Sequence, residues 1–307
     1  MLLASRLRDK FPFYYGWIVV GAAGTVVFAR MAPAITTLTV LIFPMSQQLG
    51  WSRTLIAGSV SAGALAALVL SPVVGWAIDR FGARPVLAVS VAGLGLAMIS
   101  LAWATTPLTF YIAFAAARVV FHTSAPIGAS TVAARWFIRK RGRAIGMIFL
   151  FGAIGGIVFT MLASLVVENH GLKATWIAIG LVVLLFSVAP SLLLLAEKPE
   201  DIGLLPDGAP PESPDTRSVV RSTGPPARAA GDTDSWTLGE AVRTRTFWIL
   251  VFMGFAAFFV HTSIGVHMGA YFRDVGLGPA SAALAVSLSW TVSAFGSVTW
   301  GWVTDRI

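Results

Sequence analysis

Gly75-Trp76-Ala77-Ile78-Asp79-Arg80-Phe81-Gly82-Ala83-Arg84 lies between two long apolar runs. Asp79 closes the first run, at the expected C-terminus of a helix. An acid there opposes the helix dipole and costs about 0.3–1 kcal/mol unless a partner offsets it. Arg80 and Arg84 are the nearest candidate partners. Gly75 is expected to let a neighbouring helix approach closely, and Gly82 to permit a tight reversal. A partial copy, Gly301-Trp302-Val303-Thr304-Asp305-Arg306, follows 226 residues later.

The same 226-residue shift aligns Gly50 with Gly276, so the end of the chain repeats its beginning. Composition says where such a repeat resides. The chain is 56% apolar and only 12% charged, which is membrane composition rather than that of a soluble domain. With about 20 apolar residues needed per spanning helix, eight runs qualify: 16–41, 54–77, 85–104, 108–134, 144–167, 173–195, 246–270 and 281–302. The basic N-terminus followed by a full-length run is an uncleaved first helix, not a signal peptide.

The loops set orientation. Seventeen of the 22 basic residues fall on the side of the N-terminus, and three, Arg53, Lys173 and Arg273, fall opposite. The positive-inside rule makes the N-terminus cytoplasmic. The net charge of +8 is a topology signal and does not imply nucleic acid as a partner. Residues 197–235 hold seven of the 16 prolines with Ser, Asp and Arg between them, a polar cytoplasmic linker. Thr237-Leu238-Gly239-Glu240 then has the pattern of a capping box opening a short helix.

All 14 acidic residues lie outside these spans, whereas Arg30, Arg118, His122, His261 and His267 lie inside. Charges at bilayer depth are costly and usually line a cavity. Cations without acids suit an anionic substrate. At 1.5 Å per residue in a core of about 30 Å, Arg30 and His261 lie roughly 20 and 21 Å from the cytoplasmic edge and Arg118 roughly 15 Å from the outer edge, all near or just outside the midplane. Arg30 and Arg118 are candidates to neutralise a carboxylate, and His261 to hydrogen-bond it or exchange a proton. Gly146, Gly152, Gly155 and Gly156 in the fifth run suit close helix packing. The chain has no cysteine, no metal-ligand spacing, no phosphate loop and no nucleophile with a positioned base, so no cofactor, metal or enzymatic activity is expected.

The pattern G-x-x-x-D-R-x-G-x-R at Gly75–Arg84, its copy, and the order of six helices, linker and repeat resemble the major facilitator superfamily of transporters. Phe13-Tyr14-Tyr15-Gly16-Trp17, Trp136-Phe137 with the basic run after it, and Pro199-Glu200-Asp201-Ile202-Gly203-Leu204-Leu205-Pro206-Asp207-Gly208 are similar to bacterial relatives of the monocarboxylate porters and oxalate/formate antiporters. The resemblance implies an all-α integral membrane bundle of the major facilitator type. Its N-terminal six-helix half covers 1–196, the linker 197–235, and the first two helices of the second half 236–307. Six helices per half would make this a C-terminally incomplete chain.

The resemblance further implies alternating access, a small organic anion as substrate, often with a proton, and a bacterial-type cytoplasmic membrane as location. It makes Gly75, Asp79, Arg80, Gly82, Arg84, Asp305 and Arg306 a conformational latch on the cytoplasmic side. The charged pair in the eighth helix of animal monocarboxylate porters has no counterpart, because 281–302 carry no charge. Two other functions compete: efflux of an amphipathic drug or neutral solute, and a non-transporting receptor or scaffold using the linker as its interaction segment.

Overall fold

A computed structural model of the chain describes residues 12–208, 238–276 and 279–306, with only the backbone for much of 261–293. Every regular element among these residues is a helix. All eight apolar runs form helix. Among the described residues, four helical stretches, Arg53–Phe81, Ala83–Trp103, Pro107–Trp136 and Arg141–Leu193, are long and apolar enough to cross a membrane, the last two with internal breaks, and Gly16–Ala29 and Arg245–Val260 are shorter apolar helices.

The first run departs from expectation. It is not one span over 16–41 but two helices, α1 (Gly16–Ala29) and α2 (Ile35–Leu49), separated by a break at 30–34. Pro33 sits in the break and cannot donate to the ladder. Ala34 is extended and α2 restarts from it. Gly50 ends α2 at φ 68°, a left-handed conformation that glycine adopts without strain.

α3 (Arg53–Phe81) begins at Ser52, whose hydroxyl accepts from Leu55 N at 3.2 Å. α4 (Ala83–Ser100) follows after the single residue Gly82, at φ 91°. α5 (Pro107–His122) starts with a capping box between Thr106 and Thr109 and a proline in its first turn. It breaks at Thr123 before α6 (Ser124–Trp136). Pro126 supplies no N–H to the carbonyl of His122, and the ladder opens there.

α7 (Arg141–Val183) holds two of the sequence runs. Gly171, at φ 78° and ψ 179°, interrupts it. Phe159 and Phe186 both lie against Phe28, with ring centroids 5.1 and 6.4 Å from it. Along one straight helix these two residues would be about 40 Å apart. The chain therefore reverses between them, at the one residue whose backbone allows it. A π turn at Leu184–Val188 and α8 (Ala189–Leu193) complete the sixth run.

The glycines of the fifth run bring α7 onto α1. A side chain at Gly155 would strike the backbone of Phe28, and one at Gly152 would meet Val27. The core of this unit includes Val19, Val26 and Val27 of α1, Leu87 and Leu94 of α4, Phe110 and Phe114 of α5, and Ile148 and Phe159 of α7, all 0–1% exposed.

The stretch expected to be linker from 197 is instead folded as far as Gly208. Ile202 and Pro199 are buried. Asp207 accepts from the backbone N–H of Ile138, Arg139 and Lys140 at 3.0, 2.8 and 3.3 Å. Tyr14 donates to the carbonyls of Leu205 and Trp136. Burial raises its phenol above the usual range, which keeps it a donor. The apolar residues Ile202, Leu204 and Leu205 explain the folding: this part of the stretch has a core to bury, unlike the Pro-Ser-Arg sequence after it. The remainder, with Trp236 and Thr237, lies outside the described residues.

The chain divides into two compact units, Met1–Ala209 with Ser293–Ile307, and Pro210–Val292. The second begins its described part with α9 (Leu238–Val242), the short helix expected after the linker. α10 (Arg245–Asp274) follows. Thr244 caps it by accepting from Phe247 N at 3.2 Å, and Trp248 donates back to the carbonyl of Val242. α11 (Pro279–Thr304) is divided between the units, and its part from Ser293 belongs to the first.

Candidate functional site

Arg30 stands at the C-cap of α1, where the first helix breaks. Arg118 comes from α5 and is 3% exposed. The structure brings the two together on one ring. The guanidinium carbon of Arg30 is 5.0 Å from the centroid of Phe121, and that of Arg118 is 4.5 Å from it. Arg30 also lies 5.6 Å from the ring centre of Phe149 on α7. Such contacts contribute roughly 0.5–2 kcal/mol each and more when water is excluded.

The hydrogen bonds of this pair go to backbone that the two helix breaks have set free. Arg118 Nη1 donates to the carbonyl of Pro33 at 3.3 Å, and Arg30 Nη1 to the carbonyl of Phe121 at 3.2 Å. Each arginine thus ties the break in one element to the other element. Non-helical backbone at membrane depth is tolerated where protein buries it or a cavity is lined by it. Gly63 on α3 makes room: a side chain there would collide with Arg118 Cβ and Cγ.

Donors are left over. Among the described residues, the buried Arg30 Nε and Arg118 Nε find no hydrogen-bond partner, and the buried hydroxyl of Ser124 finds none either. A buried donor without a partner costs about 1–3 kcal/mol, more when charged. No acidic residue lies in α1, α2, α5 or α6. The site is therefore cationic, with unused N–H groups, and suits an anion able to accept several hydrogen bonds. His122, one turn past Arg118, faces Arg118 Nη2 with its Nε2 at 2.9 Å.

His261 falls on α10, but its side chain lies outside the described residues, as does that of His267. The residues that sequence reasoning missed are Phe121, Phe149, Gly63 and Pro33. Pro33 alone carried a local signal, a proline inside an apolar run. The others are ordinary apolar or small residues whose role appears only when the helices pack.

The second group of candidates, at the cytoplasmic end, is not one cluster. Asp79 is exposed, and among the described residues it makes no hydrogen bond or ion pair. The partners expected for it are occupied. Arg80 lies over the rings of Trp76 and Phe81, and Arg84 donates to the carbonyl of Leu192. Nor does Gly75 sit against a neighbouring helix among the described residues: a Cβ there meets nothing within 4 Å.

Gly82 serves another contact. The Glu197 carboxylate accepts from the N–H groups of Ala83 and Arg84 at 3.0 and 3.1 Å, neutralising the start of α4, and pairs with Arg135. Sequence reasoning had assigned Glu197 no role. Asp305 makes the corresponding contact at the start of α7. It accepts from Gly142 N at 2.6 Å and Arg143 N at 3.1 Å, and lies 3.3 Å from Arg143 Nε. Arg306 stacks on Trp302, 3.7 Å from the ring centre. Gly301 and Gly142 touch backbone to backbone, so that a side chain on either would strike the other.

A family model described as Major Facilitator Superfamily matches residues 6–307. Similar curated proteins include "Probable anion transporter 4, chloroplastic" of Arabidopsis thaliana, 29% identical over 47% of this chain and 27% of that protein. "Monocarboxylate transporter 9" of Pongo abelii is 29% identical over 57% of this chain and 34% of its own length. "Gallate transporter" of Pseudomonas putida is 24% identical over 85% of this chain and 60% of its own length. The chain thus spans between about a quarter and three-fifths of the relatives it matches.

Proposed function

The chain belongs to the major facilitator superfamily, and on that premise we propose that it carries a small organic anion across a membrane by alternating access. The observation that carries this reading is the pair Arg30 and Arg118, held on one aromatic ring with unused N–H donors and no acid in the helices that supply them. A carboxylate accepts up to four hydrogen bonds and supplies the missing charge. The names of the similar proteins, an anion transporter, a monocarboxylate transporter and a gallate transporter, support the same class of substrate.

The location is a bacterial-type cytoplasmic membrane with the N-terminus inside, supported by the distribution of basic residues. The two halves rock about the arginine site. Asp79 and Asp305, with Gly75, Arg80, Gly82, Arg84 and Arg306, form the cytoplasmic latch of one extreme of that motion. The seat of Asp305 on the first N–H groups of α7 supports its share in this role. His261 keeps its assignment as a second candidate for hydrogen bonding or proton exchange.

Uptake by the full-length protein in liposomes tests the reading, with labelled lactate, benzoate and gallate as probes. Arg30→Gln and Arg118→Gln should each reduce uptake by more than about a hundredfold, since each removes a charge-assisted contact in a dry site. Full activity in both variants removes the arginines from the site.

A further inference from the structure

The family reading leaves the proton unassigned. The helices that supply the arginine pair contain no acid, and 281–302 carry no charge. One titratable side chain does touch the pair. His122 Nε2 lies 2.9 Å from Arg118 Nη2.

The chemistry of that contact is determined by the guanidinium. Arginine offers only N–H donors and has no acceptor. His122 Nε2 must therefore accept, which makes the imidazole neutral with its own proton on Nδ1. A protonated His122 carries N–H on both nitrogens and cannot accept from Arg118. It would set donor against donor and cation against cation, beside a second cation, Arg30, on the same Phe121 ring.

The surroundings sharpen this. On the helices packed around α5 the other titratable groups among the described residues are Arg53, Asp79 and Arg80 of α3, Arg84 of α4 and Arg135 of α6, all in first or last turns. Tyr111, on α5 itself, is three turns away and donates to the carbonyl of Leu55 at 2.6 Å. Among the described residues, the charged groups placed about His122 are Arg118, in contact with it, and Arg30, on the same Phe121 ring, both positive.

We propose that His122 is the proton-coupling residue of this transporter, acting through Arg118: neutral, it holds the guanidinium, and protonated, it releases it to the anion. The inference rests on the anion reading of the arginine pair. In the empty site His122 is neutral and occupies Arg118 Nη2. A proton arriving from one side bonds to the Nε2 lone pair, and the Arg118–His122 hydrogen bond is lost. The freed Nη2, with the unused Nε, then donates to the carboxylate, whose negative charge compensates the added positive one. When the carboxylate leaves on the other side, three cations remain without an anion. His122 returns its proton there and closes on Arg118 again. Each cycle moves one anion and one proton in the same direction. Linkage makes the effect reciprocal, so the proton raises anion affinity by the factor by which the anion raises proton affinity.

His122 is a positioning residue in this scheme, and its signature is a pH profile. In liposomes containing the full-length protein, uptake of labelled lactate, benzoate or gallate should rise about tenfold as external pH falls from 7.5 to 5.5, a coupling of ordinary size. Entry should make a weakly buffered external medium more alkaline. His122→Gln keeps an oxygen acceptor for Arg118 but cannot titrate. It should show a flat pH profile and no proton movement, while exchange of labelled against unlabelled anion continues at a reduced rate. A His122→Gln protein with the wild-type pH profile and proton co-uptake overturns the proposal. A second measurement needs no variant. Adding the transported anion to purified wild-type protein in weakly buffered detergent at pH 7.5 should take up about one proton per anion bound, and no proton uptake overturns it equally. Wild-type protein that moves none of the three anions defeats the anion reading itself, a result distinct from loss of pH dependence alone.

Discussion

The signature stretch and its copy share Gly, Trp, Asp and Arg at matching positions and meet opposite fates. In the copy, Gly301 touches the backbone of Gly142, and Asp305 accepts two N–H groups at the start of α7. In the first stretch, Gly75 faces open space and Asp79 is exposed, with no partner among the described residues. Both acids close a helix, where the dipole disfavours them. Asp305 is rescued because it meets the positive end of another helix. A glycine on each helix lets the two backbones come close enough. The pattern is thus a docking device: glycine sets the approach, aspartate reads a helix start, and arginine stacks on the tryptophan that follows the glycine. The pseudo-symmetry predicts that Gly75 and Asp79 dock on a helix start belonging to the second repeat, when the transporter takes the state in which that contact forms.

The largest expected difference between the copies is at the glycines. Gly301→Ala places a methyl group against the carbonyl of Gly142 and forces the helices apart, at about 1–3 kcal/mol. Gly75→Ala should be neutral or stabilise by up to about 1 kcal/mol, through helix propensity alone. Thermal unfolding of the two variants in detergent measures this difference. Equal losses, or a greater loss at Gly75, would mean that the docking at Gly301 does not hold this conformation together.

The sequence made the class of fold legible because membrane helices must be long and apolar, and each of the eight runs formed helix. It also made the arginine pair legible, since a charge in an apolar run is conspicuous. What it concealed was contact. Nothing in the local sequence of Phe121 distinguishes it from the other 19 phenylalanines; its role depends on where α1 breaks. That break was hidden too, because 16–41 is apolar on both sides of Pro33. Likewise Glu197 and Asp207 occur in a stretch that reads as polar linker, and only the fold shows them resting on N–H groups. Composition weighs side chains, whereas these acids answer backbone donors, which sequence patterns do not display.

A smaller and more telling difference concerns the acids. Asp305 is nearly buried, with its side chain 5% exposed, and its charge sits on the start of α7. Asp305→Asn keeps the shape and one acceptor oxygen but loses the charge, and should cost about 0.3–2 kcal/mol of stability. Asp79→Asn loses a charge that has no partner among the described residues and that opposes its own helix dipole, so stability should hold or rise slightly. Transport should respond differently from stability. If both acids latch the same cytoplasmic face in alternation with its opening, each Asn variant slows turnover more than it weakens anion binding. Uptake rates and equilibrium binding, measured side by side on both variants, separate the two quantities. Equal loss of rate and binding at Asp79 would place it outside the latch. Slowed turnover at Asp79 with unchanged stability would show that its partner forms only in another state of the cycle, which is what distinguishes a latch from a structural cap.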